Sequence, residues 1–522
     1  MTPAIAVLTG AIALLAALLL TPRVMWLAYR VGAVDAPDKG RKTQREPVAL
    51  LGGVAVCLAA AIAVWIVSGA GAIEPTAGTA KLLRGLIPAL LVMMAVGLVD
   101  DLYGLTGIYK LVGQFLSIGL LLSSGFGFHE VSLFGYVMPL NEFGFAFTLF
   151  FCVGCVNAFN LIDGIDGLAS SVGAIVLGTL GVVAASLGNP FASMICFAAC
   201  GALIAFLRFN GPPARMYLGD TGSMLIGLLV AAVSVHCATK TQAAFALMVP
   251  VAICAIPILD ASAAMVRRVT TGQSVFTPDR GHLHHSLLLR GWSVKRTVAS
   301  IAGMTAVTCA GALASFYTGL DYYAMAAAVG VFVALASAKV FGHVEVLLVA
   351  KRTSGALRRV LRRKSVEPDS PTETVVHLQG TRVWQVFWEG LTEAAQRHGL
   401  SSLRLTVNIP RLHEQFYANW NQPSCRQDPV GVAGWELSLP LTHHGTTVGK
   451  LSATGRQNGA AGAQQLQELL EYVEPLESQL ARVIAVETEA ATQHNPVVTP
   501  VPQYVANSGG SSHRLAAHVA AE

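Results

Sequence analysis

The chain has 522 residues, of which 53% are hydrophobic and only 12% are charged. A formal net charge of +5 is too small for nucleic-acid binding by bulk electrostatics, and the basic residues stand beside apolar runs rather than on one polar face. The nine cysteines lie mostly within apolar runs, which predicts buried thiols rather than a disulfide framework; Cys152 and Cys155 are interpreted in the same way. The composition indicates a membrane protein up to about Val349 and a soluble region from Lys351 onward.

Eleven apolar runs are candidates for membrane helices, each of which needs roughly 20 apolar residues. They are Ala4–Leu20, Leu51–Val67, Leu82–Val99, Ile108–Leu122, Phe143–Val156, Leu168–Leu187, Phe191–Leu207, Met224–Ala238, Ala243–Leu259, Val298–Phe316 and Tyr323–Val340. The first run lacks a cleavable leader pattern and is interpreted as a retained span. The predicted fold class is an all-α polytopic membrane protein with about 11 transmembrane helices over residues 1–349.

The Lys and Arg residues in the connecting loops predict the orientation of the chain. Loops after odd-numbered runs hold fifteen of them, whereas loops after even-numbered runs hold three: Lys81, Arg84 and Lys240. Because short basic loops stay on the cytoplasmic side, the N-terminus is predicted outside and the C-terminus inside. The expected location is the cytoplasmic membrane.

The region after the last apolar run reads as a basic linker over 350–375 followed by a small cytoplasmic α+β domain over 376–490. Residues 383–398 and 463–485 have helical patterns, and 403–409, 435–441 and 447–452 alternate like strands. Residues 491–522 are predicted to be disordered. No motif connects this region to chemistry, and a regulatory role and a passive appendage both remain open.

Carboxylates recur at the ends of apolar runs on the predicted cytoplasmic side. They are Asp100 and Asp101 in VDDLYGL, Asp163 and Asp166 in NAFNLIDGIDGLA, and Asp220 in YLGDTGS. An ionised carboxylate at membrane depth is costly unless it meets water, a cation or a metal, so their shared side predicts one site. Carboxylates without cysteine favour Mg²⁺, which binds through one or two of them together with substrate phosphates. One of the adjacent Asp100 and Asp101 could act as a base while the other helps to bind metal.

Other polar residues near these carboxylates are candidates for substrate binding. Glycines flank the acidic motifs and permit close backbone approach, and Lys110 could neutralise a phosphate. The segment GHLHH holds three histidines within four positions, too close together for one zinc site without a fourth ligand, so phosphate or sugar recognition is favoured. The candidates are Lys110, Asn157, Asn160, Asn210, Arg280, His282, His284 and His285.

In their order and spacing these motifs resemble the polyprenyl-phosphate N-acetylhexosamine-1-phosphate transferases, a family that includes the phospho-MurNAc-pentapeptide translocase. The resemblance covers about residues 35–292 through DAPDKGRK, VDDLYGL with IYKLVGQ, NAFNLIDGIDGLA, YLGDTGS and PDRGHLHH. It departs from the family at Gly104, where a third Asp is common, and at Gln44, where a His is usual. The resemblance implies catalytic roles for Asp100, Asp101 and Asp163, and metal binding by Asp101, Asp166 and Asp220.

The implied reaction is transfer of a sugar-1-phosphate from a UDP-N-acetylhexosamine to undecaprenyl phosphate with release of UMP, as the first membrane step of cell-envelope polysaccharide synthesis. Mg²⁺ is the expected ion and Mn²⁺ the alternative. Direct attack and an aspartyl-phosphate intermediate both remain open. The expected partners are the two substrates and the lipid bilayer, with a homodimer as an open alternative and no nucleic acid.

Three alternatives accompany this interpretation. The first is the translocase branch of the same family, which the motifs match less closely. A transporter is disfavoured because transport sites usually lie near the bilayer midplane. A CDP-alcohol phosphatidyltransferase is disfavoured because the further Gly and Asp residues of its pattern are missing after Asp166.

Overall fold

The structure is a computed structural model that describes residues 3–36, 46–71, 77–238, 247–271, 281–343, 345–346, 349–350, 372–379, 383–397, 400–409, 414–422, 434–443 and 446–456. The chain divides into two compact units, Met1–Ser365 and Val366–Glu522. The division falls within the predicted basic linker. Each unit has its own hydrophobic core.

The first unit is a bundle of helices, as expected from its apolar runs. The helices are α1 Pro3–Val31, α2 Gly52–Gly69, α3 Ala77–Tyr103, α4 Gly107–Ser123, α5 Phe143–Ile162, α6 Leu168–Ser186, α7 Pro190–Asn210, α8 Gly219–Ala238, α9 Met248–Ile253, α10 Ala255–Thr271, α11 Leu283–Leu289, α12 Val294–Thr318 and α13 Tyr322–Ser337. The first unit also contains two short antiparallel pairs of β-strands: β1 Val34–Asp35 with β2 Val48–Ala49, and β3 Glu130–Leu133 with β4 Tyr136–Pro139.

Within the described residues, eight of these helices are long and apolar enough to cross a membrane, and the chain is a multi-pass membrane protein. They are α1, α2, α3, α5, α6, α7, α8 and α12. The predicted fourth and eleventh runs form shorter apolar helices, α4 and α13. The predicted ninth run is not one continuous helix, because α9 ends at Ile253 and α10 begins at Ala255. The total of eleven spans stays a prediction.

Helix α8 is the centre of the bundle. Every residue from Thr221 to Cys237 is buried, as expected for a helix that is apolar on all sides. It packs against α2, α3 and α5. Close contact with α2 depends on glycine, since a Cβ at Gly53 would lie 2.2 Å from the backbone nitrogen of Gly222. This packing fixes the first turn of α8 relative to the ends of its neighbours.

The second unit contains a five-stranded antiparallel sheet and one described helix. The elements are β5 Thr372–Gln379, α14 Val383–Arg397, β6 Ser402–Ile409, β7 Glu414–Asn421, β8 Gly434–His443 and β9 Thr446–Arg456, with strand order β5-β7-β6-β9-β8. Leu403, Leu405 and Val407 alternate with outward residues along β6 and pack with Trp384 and Trp388 of α14. The sequence prediction missed β5 and β7, and its helix over 463–485 lies outside the described residues.

Candidate active site

The acidic motifs meet at one end of the helix bundle. Asp101 is near the end of α3, Lys110 is in the first turn of α4, Asn160 is near the end of α5, and Asp220 is in the first turn of α8. Residues separated by 60 to 120 positions in the chain are joined there by hydrogen bonds. The predicted convergence of the carboxylates is therefore present in the structure.

Lys110 is the cation within this cluster. Its Nζ lies 2.7 Å from Oδ2 of Asp220 and also forms an ion pair with Asp100. Asp100 is buried, and its Oδ1 accepts a 2.7 Å hydrogen bond from the backbone N–H of Leu105. One ammonium group thus lies between two carboxylates from different helices, which lowers the electrostatic cost of holding those carboxylates near each other.

Asp220 is oriented from its other side by an amide. Asn160 donates from Nδ2 to Oδ1 of Asp220 at 2.5 Å and to the Ser223 hydroxyl at 3.1 Å. Asp220 therefore has one oxygen toward Lys110 and one toward Asn160. Its carboxylate is only partly buried, so lone pairs remain accessible to a ligand.

Asp101 accepts hydrogen bonds from the first turn of α8. Its Oδ1 accepts from the backbone N–H of Asp220 at 2.7 Å. Its Oδ2 accepts from the N–H of Thr221 at 3.1 Å and from the Thr221 hydroxyl at 2.6 Å. These are groups that the start of a helix leaves unpaired, so Asp101 caps α8 from a neighbouring helix. The further role of Asp101 as a metal ligand stays a prediction.

Asp163 and Asp166 follow α5 in the DGIDG loop. The pKa of the Asp163 carboxyl is raised well above its usual range, first because the group is buried and then because Asp220, Asp101 and Asp166 are negative neighbours. Asp166 uses Oδ2 to accept a 2.9 Å hydrogen bond from the N–H of Ala214, which ties the loop to the segment before α8. Asp163 thus experiences the summed negative charge of the cluster.

The histidine segment lies against the same loop. A Cβ on Gly164 would be 2.3 Å from Nε2 of His284, so the glycine allows the ring to approach the backbone. His284 is 1% exposed, and burial lowers the pKa of its ring to about 3, with the nearby His285 adding to the effect. Its ring stacks on His282 with centroids 5.7 Å apart and lies 4.3 Å from the ring of His285. The predicted Arg280 lies outside the described residues.

Two predicted substrate-binding asparagines have hydrogen-bond partners within the helix bundle. Asn210 is buried, accepts from the Ser170 hydroxyl at 2.8 Å and donates to the carbonyl of Met216 at 3.0 Å. Asn157 donates to Oε1 of Gln114 at 2.7 Å, one helical turn before Asn160. Both amides therefore hold helices together, and their contact with substrate stays a prediction.

The sequence prediction missed Asp260 and Tyr217. Asp260 is buried in α10 and bonds to the histidine segment. Tyr217 lies beside β2, where its N–H donates to the carbonyl of Ala49, and burial together with Asp166 and Asp35 raises its pKa to about 12. Asp260 had a signal in the sequence, because an ionisable residue within an apolar run is by default a functional candidate.

Within the described part of the chain, no group of three or more His, Cys, Asp or Glu side chains is arranged to hold a metal ion. The eight cysteines in these residues, including Cys152 and Cys155, form no disulfide. At phosphate sites Mg²⁺ usually binds through one or two carboxylates together with water and substrate oxygens.

Comparison with known proteins agrees with the motifs. The profile of glycosyl transferase family 4 matches residues 83–238. A decaprenyl-phosphate N-acetylglucosaminephosphotransferase of Mycobacterium tuberculosis is 32% identical over 320 residues, covering 57% of this chain and 79% of that protein. A probable undecaprenyl-phosphate N-acetylglucosaminyl 1-phosphate transferase of Bacillus subtilis is 29% identical, with 56% and 79% covered.

An undecaprenyl-phosphate alpha-N-acetylglucosaminyl 1-phosphate transferase of Escherichia coli K12 is 26% identical over 288 residues, covering 53% of this chain and 74% of that protein. The matched profile ends at residue 238, before the second unit, which begins at Val366. The identity and coverage with the mycobacterial protein, together with the convergent motifs, show that the chain belongs to the polyprenyl-phosphate N-acetylhexosamine-1-phosphate transferases of glycosyl transferase family 4.

Proposed function

We propose that the protein transfers N-acetylglucosamine-1-phosphate from UDP-N-acetylglucosamine to undecaprenyl phosphate and releases UMP. The observation that carries the proposal is the cluster in which Lys110 lies between Asp100 and Asp220 at one end of a membrane bundle. A fixed cation among carboxylates suits a reaction between two phosphorylated substrates, one lipid-borne and one soluble. The relatives, all named for N-acetylglucosamine-phosphate transfer, favour this sugar over a MurNAc-pentapeptide.

The residues of the cluster fit Mg²⁺. The donors are carboxylate oxygens, which hard divalent ions prefer. The pKa of Asp163 is raised first by burial and then by neighbouring negative charges, and a cation would offset those charges. Asp163 and Asp220 would hold the ion, with water and substrate phosphate oxygens as its further ligands. When bound, Mg²⁺ supplies charge neutralisation at the pyrophosphate. Mn²⁺ offers the same oxygen preference and is the alternative.

The chain's own residues then position the reaction. An oxygen of the polyprenyl phosphate forms a bond to the β-phosphorus of the UDP-sugar, and the bond from that phosphorus to the bridging oxygen breaks, so UMP leaves. Lys110 binds phosphate oxygens and stabilises their charge. Asp100, paired with Lys110, orients that ammonium group, and Asn160 orients Asp220.

The proposed location is the bacterial inner membrane with the cluster on the cytoplasmic side. The basic loops support this orientation, because the ends of α3, α5 and α7 are followed by connections on the side predicted to be cytoplasmic. Nucleotide sugars are made in the cytoplasm, so a donor site must open there. The proposed place in metabolism is the first membrane step of an envelope polysaccharide.

The identity of the released nucleotide tests the proposal. Purified protein given undecaprenyl phosphate, Mg²⁺ and UDP-N-acetylglucosamine should yield UMP and a lipid-linked pyrophosphoryl sugar, and excess UMP should reverse the reaction. Release of UDP would show transfer of the sugar alone and contradict the mechanism. Solute flux through reconstituted vesicles without any UMP release would indicate a transporter instead.

A pair of variants localises the reaction. Asp220→Asn should reduce UMP release by at least about 100-fold, since it removes a charged group on which transition-state stabilisation depends. Asp321→Asn is the matched control: Asp321 is also buried and accepts a backbone hydrogen bond, from Phe134 at 2.6 Å, but lies at the start of α13 away from the cluster. Equal activity in the two variants would mean that the cluster is not the active site.

A further inference from the structure

Asp260 is a buried carboxylate outside the acidic motifs. It lies in α10, is 1% exposed, and uses both oxygens on one segment of the chain. Its Oδ1 accepts from the backbone N–H of Leu283 at 2.8 Å, and its Oδ2 lies 2.9 Å from Nδ1 of His282. A carboxylate in an apolar environment is costly without such partners, so its burial indicates that these two contacts are formed in the folded protein.

The contact with His282 determines which ring nitrogen carries a proton. An ionised carboxylate can only accept, so Nδ1 of His282 must be the donor. The other ring nitrogen, Nε2, is then the one available to a ligand. The contact with Leu283 holds the backbone at the same point, so both the position and the tautomer of His282 depend on one side chain.

The ring of His282 connects Asp260 to the carboxylate cluster through His284. His282 and His284 are stacked with an interplanar angle of 3°, and His284 lies against Gly164 of the loop that holds Asp163. Both nitrogens of the His284 ring are buried and have no hydrogen-bond partner within the described residues. Asp260 thus anchors a stack of rings whose far member is close to the carboxylate cluster.

We propose that Asp260 is a positioning residue that holds His282 in its Nδ1-protonated form and keeps the histidine segment, Gly281–His285, against the 163–166 loop. This inference rests on the proposed function, because the segment lies against the loop that holds Asp163, one of the residues proposed to bind Mg²⁺. Asp260 acts through His282 and does not itself contact substrate. The arrangement follows the logic by which a carboxylate fixes the tautomer of a catalytic histidine in unrelated enzymes.

The decisive variant is Asp260→Asn in the full-length protein. The asparagine oxygen can still accept from Leu283, whereas its NH₂ group donates to Nδ1 of His282 and forces the proton onto Nε2. Long-range ¹H–¹⁵N spectra of histidine-labelled protein, with His282 assigned from the spectrum of His282→Gln, should show Nδ1-protonated His282 in the wild type and its loss in Asp260→Asn. UMP release should fall at least ten-fold, and the fall should be mainly in kcat.

Two comparisons separate positioning from general damage. Asp321→Asn, a buried carboxylate with a similar backbone contact, should leave both the His282 signal and the rate unchanged. Adding Asp260→Asn to His282→Gln should lower the rate no further than His282→Gln alone, because Asp260 acts through that ring. An additive loss in the double variant, or a rate for Asp260→Asn within two-fold of wild type, would overturn the proposal.

The ¹H–¹⁵N spectra test the inference without any measurement of activity. If Asp260→Asn does not fold, the wild-type spectrum alone decides, since Nε2-protonated neutral His282 in the wild type contradicts the inference. If the wild type releases no UMP, the proposed function fails, but the tautomer of His282 still reports whether Asp260 holds the ring. The two failures are therefore distinguishable.

Discussion

Asp101 and Asp163 belong to one carboxylate cluster, yet their replacement should change stability in opposite directions. Asp101 accepts three hydrogen bonds at the start of α8, with distances of 2.7, 3.1 and 2.6 Å. Each such bond contributes about 1 kcal/mol or more, and loss of a single helix cap costs about 0.5–2 kcal/mol. We expect Asp101→Ala to lower the free energy of unfolding by about 3 kcal/mol, which corresponds to a melting temperature lower by about 4 °C for a unit of the length of Met1–Ser365.

Replacement of Asp163 should raise the stability of the folded protein rather than lower it. Its pKa in the folded protein is raised well above the usual value by burial and by the charges of Asp220, Asp101 and Asp166. A carboxyl with a raised folded pKa makes the folded state less stable as pH rises above the unfolded value of about 4. Asp163→Asn removes that charge, so we expect a higher melting temperature at neutral pH when no divalent cation is present.

The assay is thermal unfolding of purified protein in detergent with EDTA, followed by circular dichroism, and it does not depend on any substrate. Glu142→Ala is the control, because Glu142 is an exposed carboxylate at the start of α5 that makes no capping hydrogen bond, so its loss should not change the melting temperature. The reasoning is refuted if Asp101→Ala melts within 2 °C of wild type, or if Asp163→Asn melts below it.

Three further outcomes follow from the same contacts. Gly53→Ala should cost about 1–3 kcal/mol of stability in the same melting assay because its Cβ meets the backbone of α8, whereas Gly69→Ala in the same helix meets nothing within 4 Å; equal shifts would contradict the packing. Lys110→Met should reduce initial rates of UMP release at least ten-fold more than Lys110→Arg, which keeps the charge between the two carboxylates, and similar rates would exclude an electrostatic role. With the native cysteines replaced, a cysteine at the exposed Tyr103 should react with a membrane-impermeant maleimide only from the cytoplasmic side, and one at Tyr136 only from outside; the reverse pattern would invert the topology.

The membrane class, the approximate helices and the grouping of the acidic motifs could be predicted from the sequence. Hydrophobic runs report the transfer of apolar residues out of water, which is a local property, so α1, α5 and α12 begin or end near their predicted limits. The position of charged groups at the ends of runs is equally local. For the same reason the sequence predicted that Asp100, Asp163 and Asp220 share one end of the bundle.

The partner of each polar group depended on the tertiary structure. Asp101 and Asp220 both follow from motifs, but only the packing of α3 against α8 makes one a helix cap and leaves the other facing Lys110. Asn210 stands shortly before an acidic motif in the sequence, as Asn160 does. It nevertheless bonds to Ser170 inside the bundle. A hydrogen bond requires about 3 Å between atoms that lie on different helices, and sequence spacing does not determine that distance.

Asp260 also separates what the sequence predicts from what only the tertiary structure decides. The sequence marks it as an ionisable residue in an apolar run, which is costly in a membrane and therefore needs a partner. That partner is His282, 22 positions away, and it is identified only because α10 and the start of α11 lie side by side in the fold. The sequence by itself determined which groups had to be neutralised, whereas the tertiary structure decided which group neutralises which, because that depends on distances between helices far apart in the chain.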